Sequence, residues 1–437
     1  MPILSQHYQA RRPSAIRQAQ ILCAERPDRA EVHVINVAIG NVSLPMHPAM
    51  SQRMKHLDAE GSPFSAGVVK YTPSVGNEET QRAFMNIVGS TGAATDGLHC
   101  VVTDGGSQAM ELMLLGVCGP MGPRPLMLLD PAYTNYMDMA KRCAIPTISI
   151  RRELSKASTY AAPDLHVIAA LIERHRPAGL VIIPADNPTG HFMRQQSLVE
   201  LARLCVREDM WLVSDEAYRQ LHYTGEPPSS IWLVTEEEVP GITGARISIE
   251  SASKVWNACG LRIGALVTDN AELHSKAVAE YTANLSANAI GQYIFGALAD
   301  VPQQELLTWY QRQRRYYADM MREVVLGFRT TLPGVVVSEP EASLYSVIDV
   351  RALAPVGCRA ADFVRYCAER GRVDLDGAPH TVLVAPMGGF YAEHHPTLEP
   401  SDTQMRLAYV QTPEQMRKVP DLFARLFRKY VKDTVAP

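Results

Sequence analysis

Between residues 101 and 268, short apolar runs alternate with amphipathic stretches, and no other feature constrains the fold as much. The runs at 101–104, 126–129, 146–150, 179–183, 210–214, 246–250 and 263–268 have the length of strands. The stretches at 109–117, 164–175 and 195–208 have the length and apolar spacing of helices. A strand that returns to its sheet through a helix lies parallel to the one before it. The chain is therefore expected to be α/β, with a mostly parallel, doubly wound sheet. Ligands of such sheets bind beyond the C-terminal strand ends, so the loops that follow the runs are where chemistry is expected.

Those loops carry the residues that stand out. Ser251, Ser253, Lys254, Gly260 and Arg262 occupy the loop between the last two runs. An ammonium placed between buried strands is costly unless it is paired or used, and lysine is a side chain that forms Schiff bases with carbonyl cofactors. The hydroxyls and the guanidinium around it are donors of the kind that hold a phosphate. Gly105-Gly106-Ser107-Gln108 stands between a run and a helical stretch, where free backbone N–H groups and the helix dipole favour an anion. No Gly-Lys-Ser/Thr follows, so this is not a P-loop. Asp130-Pro131-Ala132-Tyr133, Asn187-Pro188-Thr189-Gly190 and Asp215-Glu216-Ala217-Tyr218 end three further runs. Taken singly, each of these segments also suits an ordinary turn.

Composition narrows the function classes. The 437 residues are 46% hydrophobic and 20% charged with net charge −4, which gives no basis for binding nucleic acid or an acidic membrane. No apolar run approaches the length of a membrane span, and the N-terminus lacks the apolar core of a signal peptide. The eight cysteines are scattered without a Cys-x-x-Cys pair, as expected for reduced thiols in a cytoplasmic protein. His394 and His395, after Glu393, stand in a Pro-rich loop without other ligands nearby in sequence, so no metal site is expected.

In chain order, the segments resemble the class I/II aminotransferases, pyridoxal-phosphate (PLP) enzymes of fold-type I. Ser-x-Ser-Lys followed by Arg262 within Gly-Leu-Arg-Ile-Gly resembles the family's lysine site. Val-Ala-Ile-Gly40 and Tyr71-Thr-Pro-x-x-Gly76 resemble its N-terminal motifs, although Asn-Val-Ser follows Gly40 where Glu-Pro-Asp is usual. Gly-Gly-Ser-Gln, Pro-x-Tyr133, Asn-Pro-Thr-Gly, Asp-Glu-Ala-Tyr and Arg406-Leu-Ala-Tyr are similar to family segments in the same order.

The resemblance implies a role for each residue. Lys254 would be the Schiff-base lysine and proton carrier, Asp215 the partner of the pyridine nitrogen, and Tyr218 and Asn187 the partners of the phenolic oxygen. Gly106, Ser107, Gln108, Ser251, Ser253 and Arg262 would hold the phosphate. Tyr133 would stack on the ring, with Tyr136 as second choice. Gly40, Asn187 and Arg406 would face the substrate, Arg406 taking its α-carboxylate. Tyr71 would serve the cofactor of a neighbouring subunit, which implies a homodimer with shared sites. The implied layout is an arm and part of a small α+β domain over 1–48, a large domain over 49–325 and the rest of the small domain over 326–437. The arm is read as polar, with one helix over 14–25.

The implied reaction moves an amino group from an L-amino acid to a 2-oxo acid in a ping-pong cycle. β-Elimination of the C–S lyase type, decarboxylation and racemisation use similar residues, so fold alone does not choose among them. A PLP-sensing regulator would need an N-terminal DNA-binding domain, for which the first 45 residues are expected to be too short. Two cations that serve a substrate's second carboxylate in aspartate-specific relatives are missing: no arginine lies between Arg262 and Arg312, and Ser107 stands where a lysine would. The expected donor is therefore a larger neutral amino acid, aromatic ones included, unless the N-terminal arm supplies a cation.

Overall fold

A computed structural model describes residues 2–392 and 400–435, so Glu393, His394 and His395 lie outside the described residues. Strand β1 (His33–Asn36) belongs to a smaller domain. The large sheet is built from β2 (His99–Thr103), β3 (Leu126–Asp130), β4 (Thr147–Arg151), β5 (Gly179–Ile182), β6 (Trp211–Asp215), β7 (Arg246–Ser251) and β8 (Gly264–Thr268). Its order is β2-β8-β7-β6-β5-β3-β4. The pairs β7–β6, β6–β5, β5–β3 and β3–β4 are parallel, while β8 is antiparallel to both neighbours.

Alternation along the strands explains why both faces are covered. Leu126 and Leu128 pack on one side with the helices Gly106–Val117, Thr134–Arg142 and Ala271–Tyr281. Met127 and Leu129 pack on the other side with Glu78–Gly89, Leu165–His175 and Gln195–Arg207. Successive strand side chains point to opposite faces, so an almost wholly apolar strand is what a sheet clad on both sides requires.

The smaller domain contains β9 (Val336–Val337), β10 (Tyr345–Asp349), β11 (Val373–Leu375), β12 (Ala378–Leu383), β13 (Ala385–Pro386) and β14 (Gln404–Ala408). One of its sheets has the order β1-β12-β11 and the other β13-β14-β10-β9. The parallel pairing of β1 with β12 joins the two ends of the chain. The 29-residue helix Gln303–Thr331 leads from the large sheet into this domain. The arm holds two helices rather than one. Gln6–Ala10 precedes Ala15–Glu25, each opened by a serine, Ser5 or Ser14, whose hydroxyl accepts an N–H of the first turn.

Candidate active site

The C-terminal ends of the large sheet and the edge of the smaller domain enclose a cavity of about 320 Å³. Its lining includes Gly40, Gly106, Ser107, Tyr133, Asn187, Asp215, Tyr218, Ser251, Ser253, Lys254, Arg262 and Arg406, all singled out in the sequence. Two others stand apart. Tyr71 is 80% exposed and outside the lining. Gln108 turns its side-chain amide to Glu111 (3.1 Å) and its backbone N–H to the Gly105 carbonyl (3.1 Å).

Asp215 ends β6 and is 7% exposed. Burial pushes its carboxyl up to about 6, although the Ala217 N–H (3.1 Å) and the Tyr136 hydroxyl (3.0 Å) donate to it and favour the charged form. Tyr136, second choice for ring stacking, is thus committed through its hydroxyl to Asp215, while Tyr133 lines the cavity. Behind Asp215, Arg219 donates to both oxygens of Glu250 and lies 3.7 Å from Glu216, so one buried guanidinium serves two buried carboxyls, and burial pushes that of Glu216 up to about 7.

Gly105 lets the loop after β2 close over Arg262, while Gly106 packs against Ile249 and Ser251. Gly105 has φ 81°, and a Cβ there would come within 2.3 Å of Arg262 Nη2. The helix Gly106–Val117 begins at this point, so its first N–H groups have no intrahelical acceptor. Ser251 and Ser253 enter from the end of β7, and the Ser251 hydroxyl accepts the Ser253 N–H at 3.1 Å. The Gly106 backbone, three serines and one guanidinium thus gather donors at one end of the cavity.

At the other end, Lys254 Nζ donates to the Gly40 carbonyl. A Cβ on Gly40 would lie 3.2 Å from Lys254 Nζ and 2.2 Å from the Tyr345 hydroxyl, so only glycine allows this approach. The Tyr218 and Tyr345 hydroxyls are 2.8 Å apart, and burial holds the Tyr218 phenol well above its ordinary range. Arg406, on β14, is 4% exposed. It donates to Asn187 Oδ1 (2.8 Å) and to the Ala38 carbonyl (2.7 Å), and its guanidinium carbon lies 4.4 Å from the centre of the Tyr345 ring. Its Nε is buried without an acceptor. An arginine held in place with a spare donor suits a carboxylate.

Several lining residues had no signal in the sequence. Tyr345 comes from β10, next to the arginine strand, and is brought in by antiparallel pairing with β14. Ser14, Ile16 and Arg17 come from the arm, and Thr134, Asn135 and Cys259 from helix and loop starts. Arg17 removes the premise on which a neutral substrate was expected, because the arm does bring a cation to this cavity.

The sequence profile of aminotransferase class I and II matches residues 32–389. The aspartate/prephenate aminotransferase of Thermus thermophilus is 24% identical over 424 residues, spanning 97% of this chain and 98% of that protein. An arginine–pyruvate transaminase of Pseudomonas aeruginosa is 24% identical over 287 residues, 65% of this chain and 67% of its own. Among solved structures, Thermus thermophilus aspartate aminotransferase with maleate superposes with a TM-score of 0.79 at 23% identity, covering 98% of this chain and all (100%) of that one. N-succinyldiaminopimelate aminotransferase from Mycobacterium tuberculosis gives 0.78 at 18% identity, over 97% and 100% of the two chains. The superpositions establish the shared fold, and the profile, which spans most of the sequence, establishes that this chain belongs to the class I and II aminotransferase family.

Proposed function

We propose that this cavity is where the chain, a PLP-dependent aminotransferase by its family, exchanges an amino group between an L-amino acid and a 2-oxo acid. The observation that carries the reading is the convergence of Lys254, Asp215 and Arg406 on one cavity from a hairpin loop, a parallel strand end and the smaller domain. The residues fit PLP on three counts. A buried acid without an adjacent cation among the described residues suits a protonated ring nitrogen. A glycine cradle packed on Arg262 suits a phosphate. The orphan Nε of Arg406 suits a substrate carboxylate.

When bound, PLP supplies an aldehyde that condenses with amines and a ring that accepts electrons from the substrate's Cα. Lys254 would hold the aldehyde through Nζ, and its amine would be the group that moves a proton at the substrate's Cα. Asp215 keeps the proton on the ring nitrogen, and Tyr136 and the Ala217 N–H hold that carboxylate in its charged form. Asn187 and Tyr218 hold the phenolic oxygen, and Asn187 also orients Arg406. Gly106, Ser107, Ser251, Ser253 and Arg262 would hold the phosphate, while the Gln108 backbone N–H bonds the Gly105 carbonyl. Tyr133 covers a ring face. Arg406 would grip the α-carboxylate, and the bare backbone at Gly40 lies against Lys254 Nζ and the Tyr345 hydroxyl. The same residues serve the return reaction with the second oxo acid.

The exposed Tyr71 supports a homodimer in which this tyrosine serves the partner's cofactor. Eight free cysteines support a reducing, cytoplasmic setting. No described helix is long and apolar enough to cross a membrane. The test is chemical. Borohydride treatment of the PLP-loaded protein, followed by peptide mapping, is expected to mark Lys254, and a mark on another lysine overturns the site.

A further inference from the structure

Four cations line the cavity, Arg17, Lys254, Arg262 and Arg406, against one carboxylate, Asp215. Three of the four are accounted for by the reading above, on which this inference rests: Lys254 anchors the aldehyde, Arg262 meets the phosphate and Arg406 meets the α-carboxylate. Arg17 is left over. Its Nη1 donates to the amide oxygen of Gln20 at 2.9 Å, and no carboxylate pairs with it among the described residues. We infer that Arg17 recognises an anionic group at the far end of the substrate's side chain, so that the preferred amino donor is a dicarboxylic L-amino acid.

The arm is built to hold Arg17 at this place. Arg11 approaches Asp138 of the helix Thr134–Arg142 at 4.0 Å, which ties the arm to the large domain. Three residues on, the Ser14 hydroxyl accepts the Arg17 N–H at 3.3 Å and starts the next helix. That helix buries Ala19 and Cys23, and just beyond it Arg26 donates to the Cys367 carbonyl of the smaller domain at 3.2 Å. Residues 14–17 pass over the cavity just before the helix docks on the smaller domain, with Ser14, Ile16 and Arg17 in its lining.

The surroundings of Arg17 suit a short aliphatic chain that ends in a charge. Ile16 and Ile39 supply apolar wall, and Arg17 also lines the adjoining cavity beside Ile39, Gly40 and Lys254. A carboxylate brought into such a space without a partner would lose its hydration uncompensated. A guanidinium offers it a planar pair of N–H donors. Arg17 is exposed, so water and salt weaken the interaction, and a preference of about tenfold is the expected scale.

The test uses the PLP-loaded enzyme and two pairs of unreactive ligands of equal length: succinate against butyrate, and glutarate against valerate. Calorimetric dissociation constants are expected to favour the dicarboxylate by at least about tenfold in one pair. Arg17→Gln should abolish that preference and Arg17→Lys should keep part of it. In parallel, the ratio of kcat/KM for acidic over equal-length neutral amino acids should fall about tenfold in Arg17→Gln, chiefly through KM. No preference in the wild-type enzyme, or a preference that survives Arg17→Gln, overturns the assignment. Failure of every amino acid to convert the cofactor would instead overturn the proposed reaction, while the binding ratios would still decide the role of Arg17.

Discussion

In the proposed site, Asp215 would serve the reaction at the expense of the fold. Burial raises its carboxyl from an ordinary 3.8 to about 6. A raised acid pKa contributes stability that is present below pH 4 and is lost as pH climbs through 6. At pH 7.5 the cofactor-free protein therefore carries a buried charge that it would be more stable without. Cofactor-free Asp215→Asn should be more resistant to urea than the wild type at pH 7.5, by about 2–3 kcal/mol, with the gap closing by pH 4. Equilibrium melts at the two pH values check this, and a gap independent of pH would place the effect elsewhere. With PLP bound, the same variant should lose several orders of magnitude in rate, because nothing then holds the ring proton. The proposed role was expected from Asp-Glu-Ala-Tyr at a strand end, and the structure puts Asp215 in the cavity lining. The hydrogen bond from Tyr136 was not expected, because a tyrosine three residues past the stacking position looks the same in sequence whether its ring or its hydroxyl is used.

At the scale of elements, the site combines loops at strand ends with a strand of the smaller domain, and its glycines have separate tasks. Gly105 adopts φ 81° and packs against Arg262, so Gly105→Ala should strain the loop by about 1–3 kcal/mol and push the guanidinium aside. The dissociation constant for PLP is expected to rise at least about tenfold, read by fluorescence titration, while far-ultraviolet circular dichroism stays as in the wild type. An unchanged constant would show that Arg262 does not depend on this loop. The strands were legible to within a residue or two because apolar runs of that length have few other uses. The helix after Gly105 was read from 109 yet starts at Gly106, since apolar periodicity detects only the buried turns and the first turn faces the cavity. The arm helix Gln6–Ala10 buries no residue, so it has no periodicity to read.

For the whole molecule, the expectation is a dimer with mutually completed sites. Tyr71 stands exposed beside the exposed Val68 and Val69, away from its own chain's cavity. When Tyr71→Phe and Lys254→Ala subunits are mixed and allowed to exchange, each mixed dimer should regain one working site, measured as activity above that of either variant alone. Proven exchange without recovery would mean that Tyr71 acts within its own subunit. What the sequence determined by itself was the large sheet and the order of the chemical groups along it, because both are local: a run of apolar residues makes a strand, and the loop at its end carries the reactive side chain. Only the tertiary structure decided which distant segments share the cavity. Tyr345 reaches it through antiparallel pairing with the arginine strand. Arg17 reaches it because its helix docks through Ala19 and Cys23 on the smaller domain. Burial of one small patch thus carries a polar arm across the cavity and brings into its lining a guanidinium that nothing in the neighbouring sequence marks.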